Sequence, residues 1–173
     1  CDKDVCLSID AWDRDSTQTL KNGEGFIRTW YPTGDTADIS HYHLGVHSGE
    51  ERSYWPAGNL KARGQWLGGV KHGKWERWYA DSKRERTENW SKGKLEGPFT
   101  TWFTNDTVNV TGFYLADKKD STWMWYTTTG SKDILGHFKN DLQDGLWKYW
   151  YPNGQLSSTG LYRAGKQEGE WLY

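Results

Sequence analysis

The sequence predicts an all-β protein, an elongated single-sheet array of antiparallel β-hairpins with a 24-residue repeat. Three observations predict it. A Gly-x-Trp-x-x-Trp-Tyr-like tract restarts without insertion at Gly25, Gly49, Gly73, Gly97, Ser121, Gly145 and Gly169. Turn residues recur twice in every unit, and no segment carries a helical apolar period. A fixed period means that each unit buries its apolar surface against its neighbours rather than around a central pocket.

Composition fits a thin array. Mean hydropathy is -0.96, yet the chain holds 13 Trp, 10 Tyr and 5 Phe, so aromatic rings replace the aliphatic core. Each large ring buries roughly 150–250 Å², and aromatic pairs add roughly 0.5–1.5 kcal/mol beyond that area. Lys and Arg number 22 against 23 Asp and Glu, a formal charge of -1 with both signs interspersed. That balance supplies no basic stripe for phosphate neutralisation and speaks against nucleic acid as a partner. No run approaches the roughly 18 apolar residues of a membrane-spanning helix.

Residues 1–19 precede the aromatic pattern as an acidic tether. Val5, Leu7, Ile9 and Ala11 alternate there with Cys6, Ser8, Asp10 and Trp12, which predicts a first strand capping the array. Cys1 and Cys6 are the two cysteines. A leading Cys resembles the start of a mature bacterial lipoprotein, which implies lipidation of Cys1; the alternatives are an arbitrary sequence boundary and a small Cys1–Cys6 disulfide ring.

Residues 20–173 form the array. Counting each unit from its leading residue as position 0, position 17 is aromatic throughout: Tyr42, Trp66, Trp90, Tyr114, Phe138 and Tyr162. Position 2 holds Trp75, Phe99, Trp123, Trp147 and Trp171, with Ile27 and Glu51 departing from the rule. Pro32-Thr-Gly34, Pro56-Ala-Gly58 and Pro152-Asn-Gly154 close one end of a unit and Gly93-Lys-Leu-Glu-Gly97 typifies the other. A two-residue turn at positions 8 and 9 pairs position 2 with 15 and position 0 with 17. Trp147 then covers Gly160, Tyr162 covers Gly145, Trp123 covers Gly136 and Phe99 covers Gly112. Parity is kept over an even period, so positions 2, 6 and 17 are expected to build one aromatic core face, from thirteen or fourteen strands.

Position 5 is the candidate site. It carries Trp30, Tyr54, Trp78, Trp102, Tyr126 and Trp150. Parity points these rings to the other face, opposite Lys61, Glu85, Asn109, Asp133 and Ser157, at a spacing of about 9.5 Å. An exposed ladder of this kind stacks on sugars or choline-like cations. A strongly twisted sheet buries both faces, and on that account most of these rings are core.

Gly69-Val-Lys-His-Gly73-Lys-Trp75 and Gly145-Leu-Trp-Lys-Tyr-Trp-Tyr-Pro-Asn-Gly-Gln-Leu156, followed by Gly160-Leu-Tyr162 and Gly165-Lys-Gln-Glu-Gly169, resemble the MORN repeat in its bacterial variant form. Ser82, Glu88 and Ser121 stand where that pattern has glycine. The resemblance implies hairpins laid side by side as a scaffold, with no catalytic residues in the repeat. Bacterial members resemble exported lipoproteins, in accord with Cys1, and Asp2-Lys3-Asp4 resembles a signal that sends lipoproteins to the cell surface. The bacteria using that signal O-glycosylate Asp-Ser/Thr tripeptides, which the resemblance maps onto Ser16, Thr36, Thr107 and Ser121. A eukaryotic secretory source would instead bring forward Asn-x-Ser/Thr acceptors at Asn89, Asn105 and Asn109.

Catalytic and metal chemistry find little support. His41, His43 and His47 have ligand-like types and alternate on a strand, but no third ligand at sensible spacing completes a site. No nucleophile elbow, phosphate loop or singled-out carboxylate pair occurs. The expectation is therefore a non-enzymatic lipoprotein without cofactor or metal. It sits on the bacterial outer membrane, held by its lipid anchor alone and exposed at the cell surface, and docks on an envelope protein complex. The alternatives are a glycan-binding module acting through the position-5 ladder and an antitoxin-like binding protein.

Overall fold

A computed structural model describes residues 10–173; the predicted Val5–Ile9 part of the capping strand and both cysteines lie outside them. The described residues form strands, turns and no helix, and every pairing is antiparallel. The chain divides into two compact units, 1–82 and 83–173.

In the first unit β1 (Ala11–Trp12), β2 (Gln18–Lys21), β3 (Glu24–Trp30), β4 (Thr36–His43), β5 (Val46–Tyr54), β6 (Leu60–Leu67) and β7 (Val70–Trp78) pair in chain order. Ala11 lies opposite Leu20 in the short pairing of β1 with β2. The second unit contains β8 (Arg84–Ser91), β9 (Lys94–Leu95), β10 (Gly97–Trp102), β11 (Val108–Leu115) and β12 (Lys118–Tyr126). It continues through β13 (Lys132–Lys139), β14 (Leu142–Gln143), β15 (Gly145–Trp150), β16 (Leu156–Arg163) and β17 (Lys166–Leu172). The segments outnumber the expected thirteen or fourteen partly because β9/β10 and β14/β15 are long arms broken at Glu96 and Asp144, just before position 0.

Position 0 is left-handed in all seven units, from Gly25 at φ 130° to Gly169 at φ 69°, and in two of them the strand is interrupted just before it. An L residue there costs roughly 1–2 kcal/mol, which is why glycine recurs and why Ser121, at φ 59°, is the strained exception. The resulting bulge adds twist to the strand.

The expected register is present. Gly145 pairs with Tyr162, Trp147 with Gly160, Trp123 with Gly136 and Phe99 with Gly112. One turn differs from expectation. The amide of Tyr31 donates to Asp35 O and that of Gly34 to Tyr31 O, so the loop holds three residues, with Pro32 opening a β-turn and Gly34 at φ 103° closing it. The extra loop residue is absorbed by a bulge at position 12, and position 5 faces position 11 instead: Trp30 lies opposite Thr36, Trp102 opposite Val108 and Trp150 opposite Leu156.

That bulge also removes position 6 from the core. Tyr151, at position 6, is 53% exposed, while Tyr31 donates from its hydroxyl to Tyr54 O and Trp55 from Nε1 to Trp78 O, each tying one loop to the next repeat. The core of the second unit is built from positions 2, 4, 13 and 17. Trp123, Phe138 and Trp147 are buried, with Trp125, Ile134, Tyr149, Tyr162 and Trp171 packed on them. Phe138 meets Trp147 edge-on at 5.2 Å.

The opposite turns need two consecutive left-handed residues, as in Leu44-Gly45 and Ala116-Asp117. They stack in register: Gly45 N donates to Gly23 O, Asp141 N to Lys119 O and Gly165 N to Gln143 O. Carboxylates complete the stack, Asp117 accepting from Leu95 N and Asp141 from Lys119 N.

Candidate functional site

The glycine at position 15 is covered by a ring, but by a different ring from the one expected. A Cβ on Gly136 would run into the Trp147 indole, one on Gly160 into Trp171, one on Gly112 into Trp123 and one on Gly64 into Trp75. Trp123 and Trp147 lie between two glycines, the hairpin partner and the glycine of the preceding repeat, and in all four cases the ring leans onto the preceding one. Tyr162 likewise does not cover Gly145, whose open Cα faces His137. Each indole therefore bridges two repeats, which turns a row of hairpins into a cooperative array.

A cation caps this face at position 22. Lys119 Nζ stands 4.7 Å from the Trp123 ring, 5.2 Å from Phe138 and 5.8 Å from Trp125, and Lys71 Nζ stands 4.3 Å from Trp75. In the first repeat, which starts at Gly25, His47 takes the same position. It stacks on Trp66 at 4.3 Å and on Tyr42 at 5.1 Å, with Nε2 3.5 Å from Glu51. Burial pushes the His47 pKa down, against the pull of Glu51. Burial and the neighbouring Tyr162 raise Tyr149 to about 12.

None of the six position-5 rings is fully exposed. Trp102 is buried at 7% and Trp30, Tyr54, Trp78, Tyr126 and Trp150 are half-buried. Four carry a cation from their own chain: Arg14 over Trp30 at 4.7 Å, Arg63 over Trp78 at 5.5 Å, Arg84 over Trp102 at 4.7 Å and Lys132 over Trp150 at 5.8 Å. Each contact contributes about 0.5–2 kcal/mol, depending on desolvation. A stacking ligand would have to displace these side chains.

The three clustered histidines are engaged separately. His41 Nδ1 meets Glu50 O at 2.6 Å, His43 Nδ1 meets Glu24 Oε2 at 3.0 Å, and His47 lies in the ring stack. Of the Asp-Ser/Thr positions, Ser16 and Ser121 are exposed. Thr36 and Thr107 are half-buried, and Thr107 Oγ1 donates to Asn105 Oδ1 at 2.6 Å. Cys1 lies outside the described residues.

On the face opposite the core rings, the second unit has an open groove of about 460 Å³ whose lining includes Leu135, His137, Leu146 and Leu161. Leu146 and Leu161 are cross-strand partners, exposed at 42% and 47%. Sequence reading passed over them because it followed aromatic residues alone; their alternation with Trp147 and Gly160 was the available signal.

The family model for the MORN repeat variant matches residues 48–67 and 143–164. The two stretches fall one in each unit, at nearly the same phase of the period, so each unit has a stretch similar to this repeat. Repeats of the family are typically protein- or membrane-binding modules rather than enzymes. No curated protein matches the chain.

Proposed function

We propose that the protein is a non-enzymatic interaction scaffold of the bacterial cell envelope, an accessory component that docks on an outer-membrane protein complex. One observation carries the scaffold reading over the glycan-binding one. The position-5 rings, which a sugar would need to stack on, are half-buried or buried, and four of them are covered by Arg14, Arg63, Arg84 and Lys132. The long strand faces and the edge of β17, whose pairing runs to β16 alone among the described residues, remain as surfaces on which a protein strand or sheet could seat.

The placement at the outer membrane, anchored through an acylated Cys1, belongs to the same proposal and is supported by the Cys1-Asp2-Lys3-Asp4 tract. Crosslinking in native membranes followed by co-purification tests the scaffold. A stoichiometric envelope protein is the expected result, and its repeated absence, or a Trp fluorescence shift on titration with cell-wall polysaccharide, overturns the reading. Intact-mass measurement of the membrane-extracted protein tests the anchor separately, an unmodified Cys1 removing it.

A further inference from the structure

In the second unit each position-2 indole inside the sheet is held edge-on between two position-17 rings, one from the preceding repeat and one from its own hairpin. Trp123 meets Tyr114 at 5.1 Å and Phe138 at 6.1 Å, and Trp147 meets Phe138 at 5.2 Å and Tyr162 at 5.5 Å. The ring of the own hairpin stands across from position 0, as Phe138 does from Ser121 and Tyr162 from Gly145. Trp171 occupies the same place with one of the two rings. It lies over Gly160 and meets Tyr162 edge-on at 5.3 Å.

The missing side of Trp171 is the open edge of β17, which pairs with β16 alone among the described residues. Every other residue of β17 is exposed, Leu172 at 68%. Trp171 Nε1 is buried without a hydrogen-bond partner, whereas the equivalent atoms of Trp75 and Trp147 donate to Gln65 O at 3.1 Å and to His137 O at 3.3 Å. An unmet buried donor is costly, so the indole stands short of the seat that its equivalents hold. Above Gly169 the space is open, with nothing within 4 Å of where a Cβ would be. Glu168 is held by Arg163 at 2.9 Å, while Glu170 is exposed and has no ion-pair partner among the described residues.

Within the scaffold reading, on which this rests, we infer that the β17 edge docks an extended segment of a partner protein, added antiparallel and patterned apolar-x-basic-aromatic. The pairing rules of the array dictate that pattern. Position 0 faces 17, position 1 faces 16 and position 3 faces 14, as Ser121 faces Phe138, Thr122 faces His137 and Met124 faces Leu135. The residue across from Gly169 is aromatic because the open space there is where the second ring closes on Trp171. Across from Glu170 a basic residue meets its free carboxylate, since opposite charges pair favourably across strands. Across from Leu172 an apolar residue covers it, as Leu135 does Met124. Backbone hydrogen bonds along the unpaired edge hold the added strand. A second copy's β17 does not serve: the register that sets its Trp171 across from Gly169 sets Glu170 against Glu170, and like charges directly opposite are unfavourable.

Fluorescence anisotropy of a labelled peptide titrated with the full chain tests the inference. The probe is the octapeptide of β13, Lys132–Lys139, carrying His137→Lys, which supplies an apolar, a basic and an aromatic residue at the three required places. It is expected to bind with a dissociation constant of about 100 µM or tighter, and the same peptide with Phe138→Ala at least about 10-fold more weakly. Glu170→Lys in the protein, an exposed change, is expected to weaken the lysine peptide at least about 5-fold and to recover that loss when the peptide carries His137→Glu instead. Recovery by charge exchange fixes both the edge and the register. No binding at about 1 mM overturns the inference, as does binding indifferent to Phe138→Ala or to the charge exchange. Its failure and that of the scaffold reading are distinguishable: an envelope protein crosslinked in native membranes, with no peptide bound at the edge, removes the docking strand and leaves the scaffold standing.

Discussion

Replacing Gly136 with Ala isolates the contact that joins successive repeats. Gly136 lies in mid-strand without a left-handed φ, so backbone preference alone favours alanine by about 0.5–1 kcal/mol. Packing reverses the sign. The added Cβ would occupy the space of Trp147 Cε2, Cζ2 and Cη2, and Trp147 is 4% exposed. Overpacking typically costs about 1–3 kcal/mol. Complete expulsion of the ring, at roughly 150–250 Å² and 25 cal/mol per Å², sets a ceiling of about 4–6 kcal/mol. The expected net loss is about 2 kcal/mol, a fall of about 1 M in the urea midpoint at a slope of about 2 kcal/mol/M. Repeat arrays can unfold in parts, so Trp fluorescence and far-ultraviolet circular dichroism are followed together. The decisive assay is a double-mutant cycle. In a Trp147→Ala background Gly136→Ala should become neutral or stabilising, whereas Gly160→Ala should remain costly because Trp171, not Trp147, lies over it. Coupling of Trp147 to Gly160 with none to Gly136 would refute the bridging geometry.

Leu44→Asn should raise stability by about 0.5–1 kcal/mol, because Leu44 sits at φ 50° in a two-residue turn that favours Asn, and Ser121→Gly by a similar amount at φ 59°; unchanged midpoints in both would contradict the assigned strain. The depressed pKa of His47 means that the folded chain resists its protonation, so its contribution is complete above pH 6.5 and is lost on acidification through the lower folded value. His47→Phe, which keeps the stack, should flatten that part of the pH–stability profile, and parallel profiles would count against burial as the cause. Tyr149 works in the opposite direction. Its pKa, pushed up to about 12, gives a contribution complete below pH 10 and lost between about 10 and 12, so Tyr149→Phe should be less sensitive to alkali over that window when urea midpoints are compared.

Hairpin pairing was legible because the period is even and uninterrupted. Once Gly145 is aligned with Tyr162, parity places Trp147 opposite Gly160 and repeats the arrangement in every unit. What escaped was the loop. Pro32 and Gly34 are spaced for a β-turn followed by a left-handed residue, and the three-residue loop needs one bulged residue across from Trp30. That bulge set position 6 outside the core and left positions 4 and 13 within it, so Trp125 and Tyr149 were missed as core residues. The position-5 rings were identified correctly as a recurrent row. Their covering by Arg14, Arg63, Arg84 and Lys132 was not legible, because the cations come from the tether, from position 14 and from position 11 and, for Arg63, Arg84 and Lys132, from the preceding repeat.

The lean of each indole onto the preceding repeat was written in the sequence in a form that within-hairpin comparison hides. Position 15 is Gly at Gly64, Gly112, Gly136 and Gly160, and the next unit answers each with Trp at position 2: Trp75, Trp123, Trp147 and Trp171. Where position 15 is not Gly, position 2 of the following unit is not Trp. Ser40 is followed by Glu51, directly across the strands, and Glu88 by Phe99, one residue along from the Thr87–Thr100 pair. Glu88 itself is buried at 6%, held by Arg86 Nε at 3.0 Å and by Trp90 Nε1 at 2.9 Å. A carboxylate so held fills the space that an indole would need, and the smaller Phe99 ring packs instead on Tyr114 and Trp123 at 5.3 and 5.7 Å. The exchange between neighbouring repeats is thus steric, glycine with indole or side chain with smaller partner. It couples adjacent units rather than the two arms of one hairpin, as nearest-neighbour stability in a repeat array requires.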